Sequence, residues 1–116
     1  MIESIKDVIH LITVLLNKKH AYSIKVTTQW LKDRIKHILS KKEIAKVAVI
    51  DMGRLIEECL NQKTFVDLYN DGYSMLIVSV DFNGKVDDIE IIAEEDGRDQ
   101  SVAELLGEDQ MIVFEI

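Results

Sequence analysis

Proline is missing from all 116 residues, although average usage of about 5% would supply roughly six. With only five glycines as well, the chain has no material for a long structureless linker, so a single domain over residues 1–116 is expected. Neither a low-complexity tract nor an internal repeat interrupts it. The single cysteine, Cys59, excludes an internal disulfide and favours a reducing, cytoplasmic setting. The longest apolar run near the start, VIHLITVLL at 8–16, is far shorter than the ~20 residues of a membrane span. It contains His10, follows Glu3, Lys6 and Asp7, and leads into Asn17-Lys18-Lys19-His20, which is not a signal-peptide pattern.

Chemical motifs are lacking too. His10, His20 and His37 have no metal-ligand spacing, and Cys59 has no neighbouring Cys or His. No glycine-rich turn exists to cradle phosphate. A calcium loop needs oxygen ligands at positions 1, 3, 5 and 12 around a Gly at 6. With Gly72 at 6, Tyr69 and Val78 occupy ligand positions; with Gly97 at 6, Ile92 and Ala103 do. Both frames fail, leaving at most an irregular, weak cation site around Glu94, Glu95, Asp96 and Asp99. No cofactor, metal or enzymatic activity is expected.

What is present is a periodic, charge-polarised chain. Apolar residues are 47% and charged residues 30%, ordinary for a globular protein. Ile2 to Leu16 carry a helical stripe. Tyr22-Ser-Ile-Lys-Val26 alternates as a strand would, while Ile24, Thr28, Leu31, Ile35 and Ile38 suit a helix; the pattern leaves both open. Thr28 is placed to cap a helix running to about Leu39. Ser40-Lys-Lys-Glu43 reads as a capping box, opening a helix over 41–61 on the stripe Val47, Met52, Leu55, Cys59 and Leu60. The β-branched KVAVID stretch competes as a strand, but the longer period outweighs it.

Thr64-Phe-Val-Asp67 is placed to cap a short turn of helix that ends at Asn70-Asp71-Gly72. The period then changes to two. Residues 74–82 and 85–93 flank Asn83-Gly84, a strong hairpin signal. The expected register sets Val80 opposite Asp87, Val78 opposite Ile89 and Leu76 opposite Ile91. Ser101-Val-Ala-Glu104 reads as a second capping box whose helix Gly107 stops, and QMIVFEI at 110–116 as another strand. The expected fold is α+β in two layers, with N-terminal helices packed on a mainly antiparallel C-terminal sheet of three strands, or four if 22–27 is extended. The 41–61 stripe should pack on Leu76, Val78, Val80, Ile89 and Ile91.

Charge carries the functional expectation. Residues 1–63 hold twelve Lys/Arg against seven Asp/Glu, a net +5, and residues 64–116 hold two against fourteen, a net −12. Residues 86–100, VDDIEIIAEEDGRDQ, are the densest part. The expected partner-binding residues are Asp81, Asp87, Asp88, Glu90, Glu94, Glu95, Asp96 and Asp99, on a sheet and a 94–99 loop, meeting a basic protein surface. Small acidic proteins that neutralise a basic toxin or nuclease work in this way. Trp30, Arg34 and His37 form a second candidate face, since Trp and Arg are enriched in binding hot spots; against it, Trp30 would also suit packing on the first helix or on 22–27. The alternative function is self-association, the basic half of one copy meeting the acidic half of another, with QMIVFEI as an exposed edge. Nucleic-acid binding through Lys32, Arg34, Lys36, Lys41, Lys42 and Lys46 is disfavoured by the acidic half, which repels the same backbone.

Overall fold

The computed structural model describes residues 19–58 and 63–116. In chain order the elements are β1 (Lys19–Val26), α1 (Thr28–Leu39), β2 (Ile44–Asp51), α2 (Met52–Glu58), α3 (Lys63–Asn70), β3 (Tyr73–Asp81), β4 (Val86–Arg98), α4 (Gln100–Leu106) and β5 (Met111–Glu115). The five strands form one mixed sheet in the order β1-β4-β3-β2-β5. β1 lies parallel to β4, and the other neighbours are antiparallel.

This corrects the expected architecture. The helices are interspersed among the strands, and among the described residues the sheet has five strands. Both its faces are covered. One core contains Ala48, Ile50, Leu76, Val78, Val80, Ile89 and Ile91 with Met52 and Leu55 of α2 and Phe65 of α3. The opposite core contains Val47, Val49, Met75, Ile77 and Ile92 with Leu31, Ile35 and Ile38 of α1 and Val102 and Leu106 of α4. Helices on both faces make three layers. The expected helix at Ile2–Leu16, and Cys59 and Leu60, lie outside the described residues.

The largest error concerns 41–51. Ile44–Asp51 is a strand, hydrogen-bonded to β3 on one side and β5 on the other. Val47 and Val49 point into one core and Ala48 and Ile50 into the other. A strand buried on both faces loses its alternation, and its apolar run joins that of α2 to imitate one long helical stripe. Met52 and Leu55 do reach the hairpin face, whereas Val47 faces away from it. Ser40 opens no helix. It closes α1, its backbone N–H and its Oγ both donating to the His37 carbonyl, the latter at 2.6 Å.

Other local readings shift by a residue or two. The 22–26 stretch is strand, and the cap of α1 is Thr27, whose Oγ1 accepts from the Trp30 N–H at 3.1 Å. Thr27→Ala should cost about 1 kcal/mol of stability, readable as a lower urea midpoint with an unchanged slope. Asp99 caps α4, two residues before the expected Ser101, and Gly107 ends it at φ +69°. The hairpin loop is longer than two residues: the Asp81 N–H donates to Lys85 O at 2.9 Å, and Gly84 sits at φ +79°, where a side chain is strained. An irregularity between Ser79 and Val80 then restores the expected pairs Val78↔Ile89 and Leu76↔Ile91, while Val80 pairs with Val86 instead of Asp87.

Candidate functional site

The acidic stretch forms β4, a strand of 13 residues. Residues 94–98 therefore belong to the sheet, where Glu94 pairs with Ile24 and Arg98 with Val26, and the expected 94–99 loop does not exist. Alternation along the strand sorts the carboxylates by face.

Glu90 points to the α1 side and is 4% exposed. A carboxylate this buried needs a partner, and Arg34 of α1 supplies it. The Arg34 Nε donates to Oε1 at 2.6 Å and to Oε2 at 3.0 Å, and Nη2 also donates to Oε2. The guanidinium carbon lies 5.5 Å from the centroid of the Tyr22 ring, within range of a cation–π contact. Trp30 meets Tyr22 edge to face, with centroids 6.2 Å apart. Hydrogen bonding to Glu90 pushes the Arg34 pKa up; burial opposes this, and the charges of Glu90, Tyr22 and Asp88 add to it. Trp30 and Arg34 thus clasp α1 onto β1 and β4, and His37 alone of that trio is exposed.

A second ion-pair group closes the opposite end of the strand. Arg98 donates from Nε to Glu94 Oε1 at 2.7 Å and from Nη1 to Asp51 Oδ2 at 2.8 Å. Asp51 ends β2, so the guanidinium spans from β4 to β2 across β3. Burial pulls its pKa down, but the bonds to Glu94 and Asp51 together with their charges outweigh it, and the net direction is up. Raised arginines remain charged at every ordinary pH, which makes this group a fastener rather than a proton donor.

Of the other expected residues, Asp81 accepts from the N–H groups of Asn83 and Lys85 at 2.8 and 3.0 Å, holding the hairpin loop. Asp88 accepts from the Ile89 N–H at 2.9 Å, and both it and Asp87 are half-buried. Asp99 accepts from the Ser101 N–H at 3.2 Å as the cap of α4. Glu95 and Asp96 are exposed, Glu95 accepting from Ser23 Oγ at 3.0 Å. The fold therefore does not assemble the eight acids into one surface.

It extends the outermost three instead. Glu104, Glu108 and Asp109 are exposed as well, so residues 95–109 present six exposed carboxylates along the end of β4, α4 and the following turn. Arg98 is the one base of that stretch, and it turns inward. The C-terminal members were legible as a continuation of the acidic half, but the charge peak at 86–96 drew attention away from them.

Sequence reasoning also missed an open groove of about 520 Å³ between α1 and β5, lined by Lys32, Ile35, Lys36, Leu39, Phe114 and Ile116 among others. Its outer wall is a strand at the edge of the sheet. Among the described residues, no group of three or more His, Cys, Asp or Glu is arranged to hold a metal ion, and no helix is long and apolar enough to cross a membrane. Comparison with known proteins finds no matching family model, no matching curated protein and no matching solved structure.

Proposed function

We propose that this chain is a non-enzymatic, cytoplasmic binding protein whose exposed carboxylates engage a basic protein surface, in the manner of a toxin or nuclease inhibitor. The observation that carries the reading is the run of six exposed acids over 95–109 with its only arginine withdrawn into ion pairs with Glu94 and Asp51. Carboxylates of one sign on the surface of a small domain make a directional field. Such a field raises the encounter rate with a cationic cleft and mimics the phosphates that a nuclease cleft accepts. Glu90 and Glu94 serve the fold in this reading, and binding falls to Glu95, Asp96, Asp99 and Glu104. The compartment rests on the lone cysteine.

The test is the variant Glu95→Gln/Asp96→Asn/Glu104→Gln, which leaves the α4 cap in place. Wild type, used as bait in an extract of its own cell, should capture a basic protein. Association of that protein with the variant should be slower by about tenfold or more at low ionic strength and converge on wild type as salt screens the field. Association at the wild-type rate at every salt concentration would defeat the proposal.

A further inference from the structure

The two edges of the sheet are built differently. β1 carries the exposed Lys25 and has a register irregularity between Ile24 and Val26, the usual devices that blunt an edge. β5, Met-Ile-Val-Phe-Glu, has no lysine and no proline, and its register with β2 is regular throughout.

Its backbone is aimed outward at alternate positions. The Asp51 N–H donates to Gln110 O, and the Ile116 N–H donates to Ala45 O. By the alternation of an antiparallel ladder, the even-numbered residues of β5 turn their polar groups toward β2. Met111, Val113 and Glu115 therefore turn theirs to the open side, where the described residues supply no strand.

Charge is distributed oppositely at the two ends of this strand. The end near Met111 follows Glu108 and Asp109, both exposed; the half-buried Arg54, whose Nη1 donates to Met111 Sδ at 3.2 Å, offsets one of these two charges and leaves the end acidic. The other end lies beside the turn after α1, since Glu115 pairs with Lys46 and Ile116 reaches Ala45. Lys41 and Lys42 are exposed in that turn, and Lys32 and Lys36 line the adjoining groove. Glu43, Glu115 and Asp81, which pairs with Ile44, are fewer than the five lysines Lys32, Lys36, Lys41, Lys42 and Lys46, so the end is basic.

We infer that β5 is a homodimer interface, pairing antiparallel with β5 of a second copy about a two-fold axis at Val113. This register pairs Val113 with its symmetry mate and Met111 with the second copy's Glu115. Each of these pairs exchanges two main-chain hydrogen bonds, and the sheet continues through ten strands. On the α1 face, Ile112 and Phe114 become cross-strand neighbours of the second copy's Phe114 and Ile112, which closes the apolar groove against Ile116, 76% exposed in the single chain. Antiparallel pairing also sets the acidic end of each copy against the basic end of the other, twice by symmetry. A strand running the other way would oppose like charges, so the charge pattern selects the direction as well as the occupant. The inference does not rest on the proposed inhibitor function, and it leaves Glu95, Asp96 and Asp99 outside the interface.

The test measures mass in solution for the full chain. Sedimentation of the wild type at low salt and high micromolar concentration should give about twice the 13.3 kDa of one chain, with dissociation favoured as salt rises. Two charge variants follow, Lys41→Glu/Lys42→Glu and Glu108→Lys/Asp109→Lys. Each places like charges at both contacts of its own dimer, so each should associate at least tenfold more weakly than wild type. An equal mixture should recover the dimer, because each variant's altered end then meets its complement. Val113→Pro, which removes an outward N–H and leaves the β2 ladder intact, should abolish association with the circular dichroism spectrum preserved. A wild type that stays at 13.3 kDa overturns the inference. So do charge variants that dimerise as well as wild type, or a mixture that restores nothing.

Discussion

Arg34→Met should destabilise the fold by about 3–5 kcal/mol, the usual penalty for leaving a buried ionised partner unpaired. Glu90 is 4% exposed, and its only counter-charge among the ion pairs seen here is the two-pronged guanidinium of Arg34. Removing the arginine also takes the cation from the Tyr22 face. Glu90→Gln should cost less, because an amide tolerates burial better than a lone carboxylate. The double variant Arg34→Met/Glu90→Leu should recover most of the loss, since an apolar pair of similar size often replaces a buried ion pair at no net cost. Urea unfolding of wild type, Arg34→Met, Glu90→Leu and the double variant forms a double-mutant cycle. A loss below about 1 kcal/mol for Arg34→Met would assign the pair to the weak surface class. Alkaline pH does not substitute for the mutation. The hydrogen bond to Glu90 raises the Arg34 pKa further above its already high ordinary value, so its contribution is fully present at every ordinary pH and is lost only at extreme alkalinity, as pH rises past that ordinary value.

Phe65→Ala should cost about 3–5 kcal/mol. Phe65 is the one buried residue of α3 and is wholly inaccessible, within the core formed by Met52, Leu55, Leu76 and Val78. An eight-residue helix has little stability of its own, so the ring is what docks α3 on the sheet. Amide hydrogen exchange should localise part of the effect, with the backbone of 63–70 losing protection before β3 does. Comparable protection of α3 in both proteins would show that other contacts hold it.

These two residues illustrate how unevenly the structure was written in the sequence. The β3–β4 hairpin was legible because its code is local: Asn83-Gly84 marks the turn, and the period-two pattern around it selects the face. The extent of α1 and the position of β5 were legible for the same reason. β2 was not, because a strand buried on both faces offers no alternation, and only its place between β3 and β5 resolves its apolar run. The ion pairs were illegible for a different reason. Arg34 and Glu90 stand 56 positions apart, and no spacing rule links them until β1, β4 and α1 are assembled. A run of acids therefore looked like one surface, when the assembled fold buries Glu90 against Arg34 and leaves Glu95 and Asp96 exposed near the end of β4.

The parallel pairing of β1 with β4 sets an order of events for the newborn chain. Hairpin β3–β4 closes through a loop of a few residues, and contacts so close in sequence form early. β1 leaves the ribosome before the other described strands, yet its register partner comes much later: Ser23 bonds to Glu95, 72 residues on. Closing so long a loop costs entropy that no local contact offsets. During synthesis β1 therefore waits unpaired while α1, β2 and the hairpin form, until β4 is available to it. Lys25 and the irregular register that blunt β1 in the finished sheet also protect it during that interval, when a bare strand would otherwise find the wrong neighbour.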